Sequence, residues 1–528
     1  MSASRSKNEI APIHSWQHVP WILLFVLIFL LSLAMRAPEI LSRNYLFGFD
    51  QGRDYLAAYN IAVSHKITLI GAEVGAGSAG ISGLFHGPGY FYLLAIMYIF
   101  FRGDPYGGLV LMFLFGVATL ITVFVTTRKM FNERVALIAL FLVGVAPQIA
   151  PQSRFVWNHH PASFFIALYY YFLYKITARP RLYAPLAVLA AGLIYHFEIA
   201  MAVPLVILTF VAVPLIHKIA DRRIYLYMIV VLLLVLSPMM LFEVRHGFMA
   251  VRGIVTHVMT PKFSGASSTQ AGSSGDFNLI EKKDAFISNF RDSFVFDYGY
   301  IRADWIGFIL LAVAAVILFA LFNTKDKAIK CFFAAVFLGI PVTILVFLPL
   351  RGSVWPYYLI HLQFGYIYAF AFAADVLVSR VRKSPVYIVT TLFIVFFFIS
   401  MLRGTYFRLR LNWLVDYPDY GATAKIVGKR AAIDYIYADA KGKPFSVFVF
   451  TPPFYTWPYD YLFLTYAKEK YGYMPGHEKK GLAYMLIEVD PVKPWSYQGW
   501  LETVIKTGTP VWTREVMPSG FLVQKRIF

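Results

Sequence analysis

Of the 528 residues, 59% come from the hydrophobic set AVILMFWYC and only 15% are charged, whereas soluble domains hold roughly 45–50% apolar residues even with Gly included. That composition excludes an ordinary soluble enzyme, a disordered chain, collagen and a coiled coil, and it describes a polytopic membrane protein. The net charge of +19 needs no nucleic acid to explain it, because most of the Lys and Arg can be located in short loops between apolar runs. Cys331 is the only cysteine, so no intrachain disulfide and no thiolate cluster is available.

In chain order, an apolar run at 19–35 follows a basic start and reads as a retained first helix, because no small-residue cleavage pattern comes after it. Further runs at 105–126, 135–150, 161–177, 184–196, 200–216, 224–242, 305–322, 331–348, 357–378 and 386–401 bring the expected crossings to about 11. The run at 87–101 is too short for a comfortable span and is placed as a re-entrant or interfacial helix. Alternate loops carry the positive charge: Arg128, Lys129 and Arg134; Lys175, Arg179 and Arg181; Lys218, Arg222 and Arg223; Lys325, Lys327 and Lys330; Arg380, Arg382 and Lys383. That bias puts these loops and the N-terminus on the cytoplasmic side, with the long loops 36–104 and 243–304 outside. Gly/Ser-rich stretches within them, 71–83 and 263–276, read as mobile.

Two crossings share the residues from 184 to 216, which is short for two full spans, so their turn at Tyr195-His196-Phe197-Glu198 is expected to be recessed. After residue 401 the composition turns to that of a soluble domain. Helices at 429–440, 459–470 and 497–506, strands at 445–450 and 482–489, and a hairpin of 511–515 with 521–526 predict an outer α/β domain over 402–528. The membrane part is 1–401.

Ionisable groups that line a transport path usually interrupt spans near the midplane; here the ionisable groups gather at outer helix ends and outer loops. Phe49-Asp50-Gln51-Gly52-Arg53-Asp54-Tyr55 opens an amphipathic helix, where Asp50 is a cap, a catalytic base or both. Phe85-His86-Gly87-Pro88-Gly89-Tyr90 starts the short helix, and Pro88 suits a first helical turn. Gln152-Ser153-Arg154-Phe155-Val156-Trp157-Asn158-His159-His160-Pro161 precedes the fourth span; Trp157 suits interfacial anchoring, and Arg154 suits a lipid phosphate. Arg245 and Arg351 share that character, with ordinary headgroup contact as the other reading.

An acidic motif in the first outer loop, a histidine-and-proline helix start, an arginine before the fourth span and an outer α/β tail together resemble the GT-C superfamily of membrane glycosyltransferases. The resemblance covers about residues 19–401 and is nearest to glycosyltransferase family 39, with the protein O-mannosyltransferases and the bacterial lipid A aminoarabinose transferases. It implies an inverting transfer of a sugar from a polyprenyl-phosphate donor to an acceptor hydroxyl outside the membrane, by a multi-pass protein of a prokaryotic plasma membrane. The partners expected are that donor, membrane lipids and an acceptor protein, lipid or glycan. Where the family has an acidic pair, this chain has Asp50-Gln51, with a further carboxylate at Asp54.

The chemistry needs a base for the hydroxyl proton and cations for the departing phosphate. Asp50 and Asp54 are the expected catalytic carboxylates, and Arg154, Arg245 and Arg351 the phosphate ligands. Gln51, Arg53, His86, Trp157, Asn158, His159, His196 and Glu198 are expected to position sugar or acceptor. Whether a divalent metal takes part is open, with Asp50, Asp54 and His86 as its candidate ligands; their spacing matches no strong metal motif. The rival readings are a lipid-linked sugar flippase or transporter, an O-antigen ligase or polymerase, and a non-catalytic receptor.

Overall fold

The computed structural model describes residues 19–74, 81, 83–259, 279–294, 314–319, 322, 324–350, 354–381, 386–410, 425–452, 455–490 and 493–528. Arg351, the stretch 263–276 and most of the span expected at 305–322 lie outside the described residues.

The first part of the chain is a bundle of apolar helices. In chain order these are α1 (Val19–Ala34), α2 (Pro38–Ser42), α3 (Phe49–Ala62), α4 (Gly89–Phe100), α5 (Tyr106–Met130), α6 (Glu133–Val145), α7 (Ala162–Lys175), α8 (Pro180–Tyr195), α9 (Ile199–Leu215), α10 (Arg222–Arg245), α11 (Met249–Met259) and α12 (Leu279–Asp292). After them come α13 (Lys327–Phe347), α14 (Ile360–Val381) and α15 (Val386–Arg410). Among the described residues, four helical stretches are long and apolar enough to cross a membrane: Tyr106–Met130, Arg222–Arg245, Lys327–Phe347 and Pro356–Ser379. Helix α10 leaves Leu226, Ile229, Val230, Leu233 and Leu234 exposed, a face suited to hydrocarbon rather than water. Helix α4 has 12 residues, or about 18 Å at 1.5 Å per residue, well short of a bilayer core of about 30 Å.

Polar residues of the basic loops begin several helices. Asn132, Asp221 and Asp326 accept hydrogen bonds from the first backbone N–H groups of α6, α10 and α13, which supplies donors that a helix start leaves unsatisfied. At the opposite end of α1, buried Arg36 donates to the carbonyls of Ser32, Gly144 and Val143. It thereby ties α1 to the carbonyl-rich end of α6.

The C-terminal part forms a four-stranded sheet in the order β1-β2-β4-β3, from β1 (Ser446–Phe450), β2 (Leu482–Ile487), β3 (Thr509–Val516) and β4 (Phe521–Ile527). Strands β1 and β2 are parallel and the other pairs antiparallel. Helix α16 (Ile426–Ala440) precedes the sheet, and α17 (Trp457–Leu462) begins the β1–β2 crossover. The crossover helix expected at 459–470 is therefore present, but it passes through a wider π turn at Phe463–Ala467. Lys429 of α16 pairs with Glu488 at the end of β2, where Tyr459 also donates a 2.6 Å hydrogen bond.

This tail docks on α3. A Cβ added to Gly52 would lie 2.3 Å from the backbone nitrogen of Pro458, so the absent side chain is what lets α17 approach. Tyr461 stacks obliquely on Tyr55 at 5.2 Å and donates to the Gly103 carbonyl at 2.6 Å, while Arg430 reaches Asp104 at 3.0 Å.

Candidate active site

Helix α3 opens with Gly48 as its cap. Gln51 accepts a 2.8 Å bond from the Gly48 N–H, and its amide nitrogen donates 2.7 Å to the carbonyl of Val156. Gln51 thus closes the helix start and ties it to the loop before α7. Asp50 is not the cap; it stands in the first turn of the helix.

Spacings of three and four residues put Asp50, Arg53 and Asp54 on one face. Arg53 bridges the two acids, at 2.8 Å to Asp50 and 2.8 Å to Asp54. The acids differ in access: the Asp50 side chain is 16% exposed and that of Asp54 only 1%. The second oxygen of Asp54 and the Tyr90 hydroxyl are both buried without a hydrogen-bond partner. Burial, opposed by Arg53 and reinforced by Asp50, lifts the Asp54 carboxyl to about 7. Asp50 is raised by burial against the attraction of Arg53.

His86 sits next to this cluster, and burial together with the charge of Arg53 pushes its imidazole down to about 3, so it is neutral. Its backbone pairs with Gly71 and Ala72, and its Nδ1 accepts a long 3.4 Å contact from the Ile199 N–H. His196 has a bracing position: Nδ1 accepts from the Gly89 N–H at 3.2 Å, which leaves Nε2 to donate to the Val235 carbonyl at 3.1 Å. A Cβ on Gly87 would lie 2.4 Å from His196 Nδ1, which accounts for glycine in that motif. Pro88 is the residue that caps α4 rather than one inside its first turn.

Glu198 is buried in the α8–α9 turn, where it caps α9 by accepting from the Ala200 N–H at 3.1 Å; burial raises its carboxyl to about 8. Asn158 donates 2.7 Å to the Phe197 carbonyl and so connects this turn to the 152–160 loop. In that loop the His159 ring stacks on Tyr357 at 4.3 Å and meets Trp157 at 4.0 Å, and its Nδ1 has no hydrogen-bond partner. His159 lies within electrostatic reach of His86, as His86 does of Arg53. Five stretches of chain therefore converge: Asp50, Arg53 and Asp54; His86 and Tyr90; Trp157 and His159; Glu198; and Tyr357.

Arg154, expected on the donor phosphate, has its guanidinium committed to Glu39. Nε and Nη2 bind the two carboxylate oxygens at 2.5 and 2.7 Å, with side chains 3% and 4% exposed. Arg245 lies exposed at the end of α10, and Phe242 of the same turn packs against Phe85, the neighbour of His86, at 5.5 Å. For the metal candidates, Arg53 occupies the space between Asp50 and Asp54, and no group of three or more His, Cys, Asp or Glu among the described residues is arranged to hold an ion. Sequence reading missed Glu39, Tyr90 and Tyr357. Tyr90 stood inside the quoted His86 motif, whereas nothing local marks Glu39 as the partner of Arg154.

Residues 85–242 match the family model of dolichyl-phosphate-mannose-protein mannosyltransferase. No curated protein matches the chain. Among solved structures, ArnT from Cupriavidus metallidurans bound to undecaprenyl phosphate is 13% identical with a TM-score of 0.54, covering 97% of this chain and 98% of that one. The oligosaccharyltransferase AglB from Archaeoglobus fulgidus, in complex with an inhibitory peptide and a dolichol-phosphate, is 14% identical with a TM-score of 0.50, over 97% of this chain and 74% of that one. The arabinofuranosyltransferase AftD from Mycobacteria is 11% identical with a TM-score of 0.51, over 97% of this chain but 40% of its own length. The chain is thus similar to that mannosyltransferase family over residues 85–242 and shares the fold of these solved glycosyltransferases along nearly all of its length.

Proposed function

We propose that the protein is a multi-pass membrane glycosyltransferase. It transfers a sugar from a polyprenyl-phosphate donor to an acceptor hydroxyl on the extracytoplasmic face of a prokaryotic plasma membrane. The carrier class follows the lipids named for ArnT and AglB. The outward placement follows the Lys/Arg bias of the alternate loops.

One observation carries the reading: Asp50 is the accessible acid of a cluster with two carboxylates and one guanidinium, held at the start of a helix braced from both sides. In the proposed step the acceptor oxygen attacks the anomeric carbon and its proton passes to Asp50. The bond from that carbon to the phosphate oxygen breaks with both electrons leaving on the phosphate, which gives inversion. Arg53 orients Asp50 and Asp54 holds Arg53, so Asp54 is a positioning residue. Arg245 and Arg351 are the proposed phosphate ligands, and Arg154 braces the 152–160 loop through Glu39. His86, His159, Tyr90 and Tyr357 line the space for the sugar.

The test is Asp50→Asn in purified protein, assayed with an undecaprenyl-phosphate-linked sugar. Turnover should fall about 10²–10⁴-fold with donor binding kept. Folded Asp50→Asn protein with near wild-type turnover would overturn the assignment.

A further inference from the structure

A cavity of about 290 Å³ adjoins the 3-10 turn Pro356–Leu359. Pro356 lines the cavity, while the next residue, Tyr357, stacks on His159 of the candidate active site. Helix α12 forms one wall with Glu281, Asp284, Ser288, Asn289 and Asp292. Gln148 and Gln363 contribute from the bundle.

Two side chains here have hydrogen-bonding capacity that the protein does not use. Gln363 is 0% exposed and neither of its amide atoms has a partner. Asn289 is also buried; its nitrogen donates 3.2 Å to the Leu359 carbonyl and its oxygen has no partner. Leaving such a group unsatisfied costs roughly 1–3 kcal/mol, so a ligand that supplies the missing bonds would gain from them. The Lys282 ammonium binds the carbonyls of Phe347, Leu348 and Leu350 at the end of α13, within electrostatic reach of Glu281. Asp292 lies 3.0 Å from Arg291 and Asp284 3.8 Å from Lys283, so each acid of the cavity has a cation near it on α12.

Amides that both donate and accept, a serine hydroxyl and carboxylates fit a ring of hydroxyl groups, and the lining includes no cationic side chain to bind a phosphate. We propose that this cavity is a subsite for a hydroxyl-rich sugar unit without negative charge, belonging to the acceptor rather than to the phosphate-linked donor. This assignment of the ligand to the acceptor rests on the glycosyltransferase reading; the affinity for the sugar does not.

The test uses the full chain in detergent with methyl glucopyranoside, glucosamine and glucose 6-phosphate, followed by saturation-transfer NMR. The first two should bind saturably, with Kd on the order of 1–10 mM as for a weak fragment, and glucose 6-phosphate at least about tenfold more weakly. Ala285→Met, which fills the cavity from α12, and Gln363→Leu, which removes the unpaired amide, should each weaken binding about tenfold. Melting temperature should not fall in Gln363→Leu, since an unsatisfied buried amide is replaced by an apolar group of similar size. Asp50→Asn should bind these sugars as the wild type does, so loss of the catalytic assignment and loss of the cavity assignment are told apart. No saturable binding to the wild type, equal binding of glucose 6-phosphate, or binding unchanged in both cavity variants would overturn the proposal.

Discussion

Two arginine–carboxylate groups on the same side of the bundle differ in a single balance. Arg154 and Glu39 form a one-to-one bidentate pair, both buried, with the charges matched. Arg53 is shared between two acids, one of which is partly open and the other left with an unpaired oxygen. A matched buried pair is a brace, because nothing is gained by letting a substrate into it. The unbalanced cluster leaves Asp50 partly exposed, while the buried Asp54, its carboxyl lifted to about 7, holds Arg53 from the other side. The residue types are alike, and burial together with stoichiometry separates their roles.

The comparison can be broken at its strongest point first. Asp50→Asn is expected to give the largest loss, the 10²–10⁴-fold drop in turnover described above. Next, Arg154→Met should destabilise the protein by about 3–5 kcal/mol, because Glu39 is then buried without its partner. The double variant Glu39→Leu with Arg154→Met should recover most of that stability and retain turnover, measured by thermal melts and the transfer assay. A double variant that folds but no longer binds polyprenyl phosphate would place Arg154 on the donor instead.

Gly52→Ala should come next, with a cost of about 1–3 kcal/mol and easier proteolysis of the tail, because its Cβ would run into the backbone of Pro458. Arg245→Ala should raise the donor KM by roughly tenfold, the value of one charge-assisted contact, with kcat little changed. The smallest effect is a change of pH profile. A carboxyl raised to about 7 is protonated below that pH and then no longer holds Arg53 by charge, so kcat/KM should climb between about pH 6 and 8. Asp54→Asn should flatten that rise while leaving activity at acid pH less changed. An unaltered profile in Asp54→Asn would assign the ionisation to another group.

Much of the secondary structure was legible because its signals are local. Hydrophobic runs place α5, α10 and α13, and alternating patterns place the strands and helices of the tail, each within a few residues of where they stand. The acidic helix start, the His86 motif and the loop before α7 were visible as polar residues at the ends of apolar runs. Their partners were not. Gln51 and His196, both expected to position sugar or acceptor, also make structural bonds: Gln51 is a strut to Val156, and His196 holds the Gly87–Gly89 turn. Arg154, expected on a phosphate, pairs with Glu39 of α2, far back along the chain.

What the amino-acid order alone determined is which segments are apolar enough to leave water and which residues carry charge, because transfer free energies depend on each side chain and its near neighbours. Only the folded chain decided which charges meet, which glycine admits the tail and which acid stays partly exposed. Coulomb energies and close packing depend on distances between residues far apart along the chain, and no local pattern encodes those.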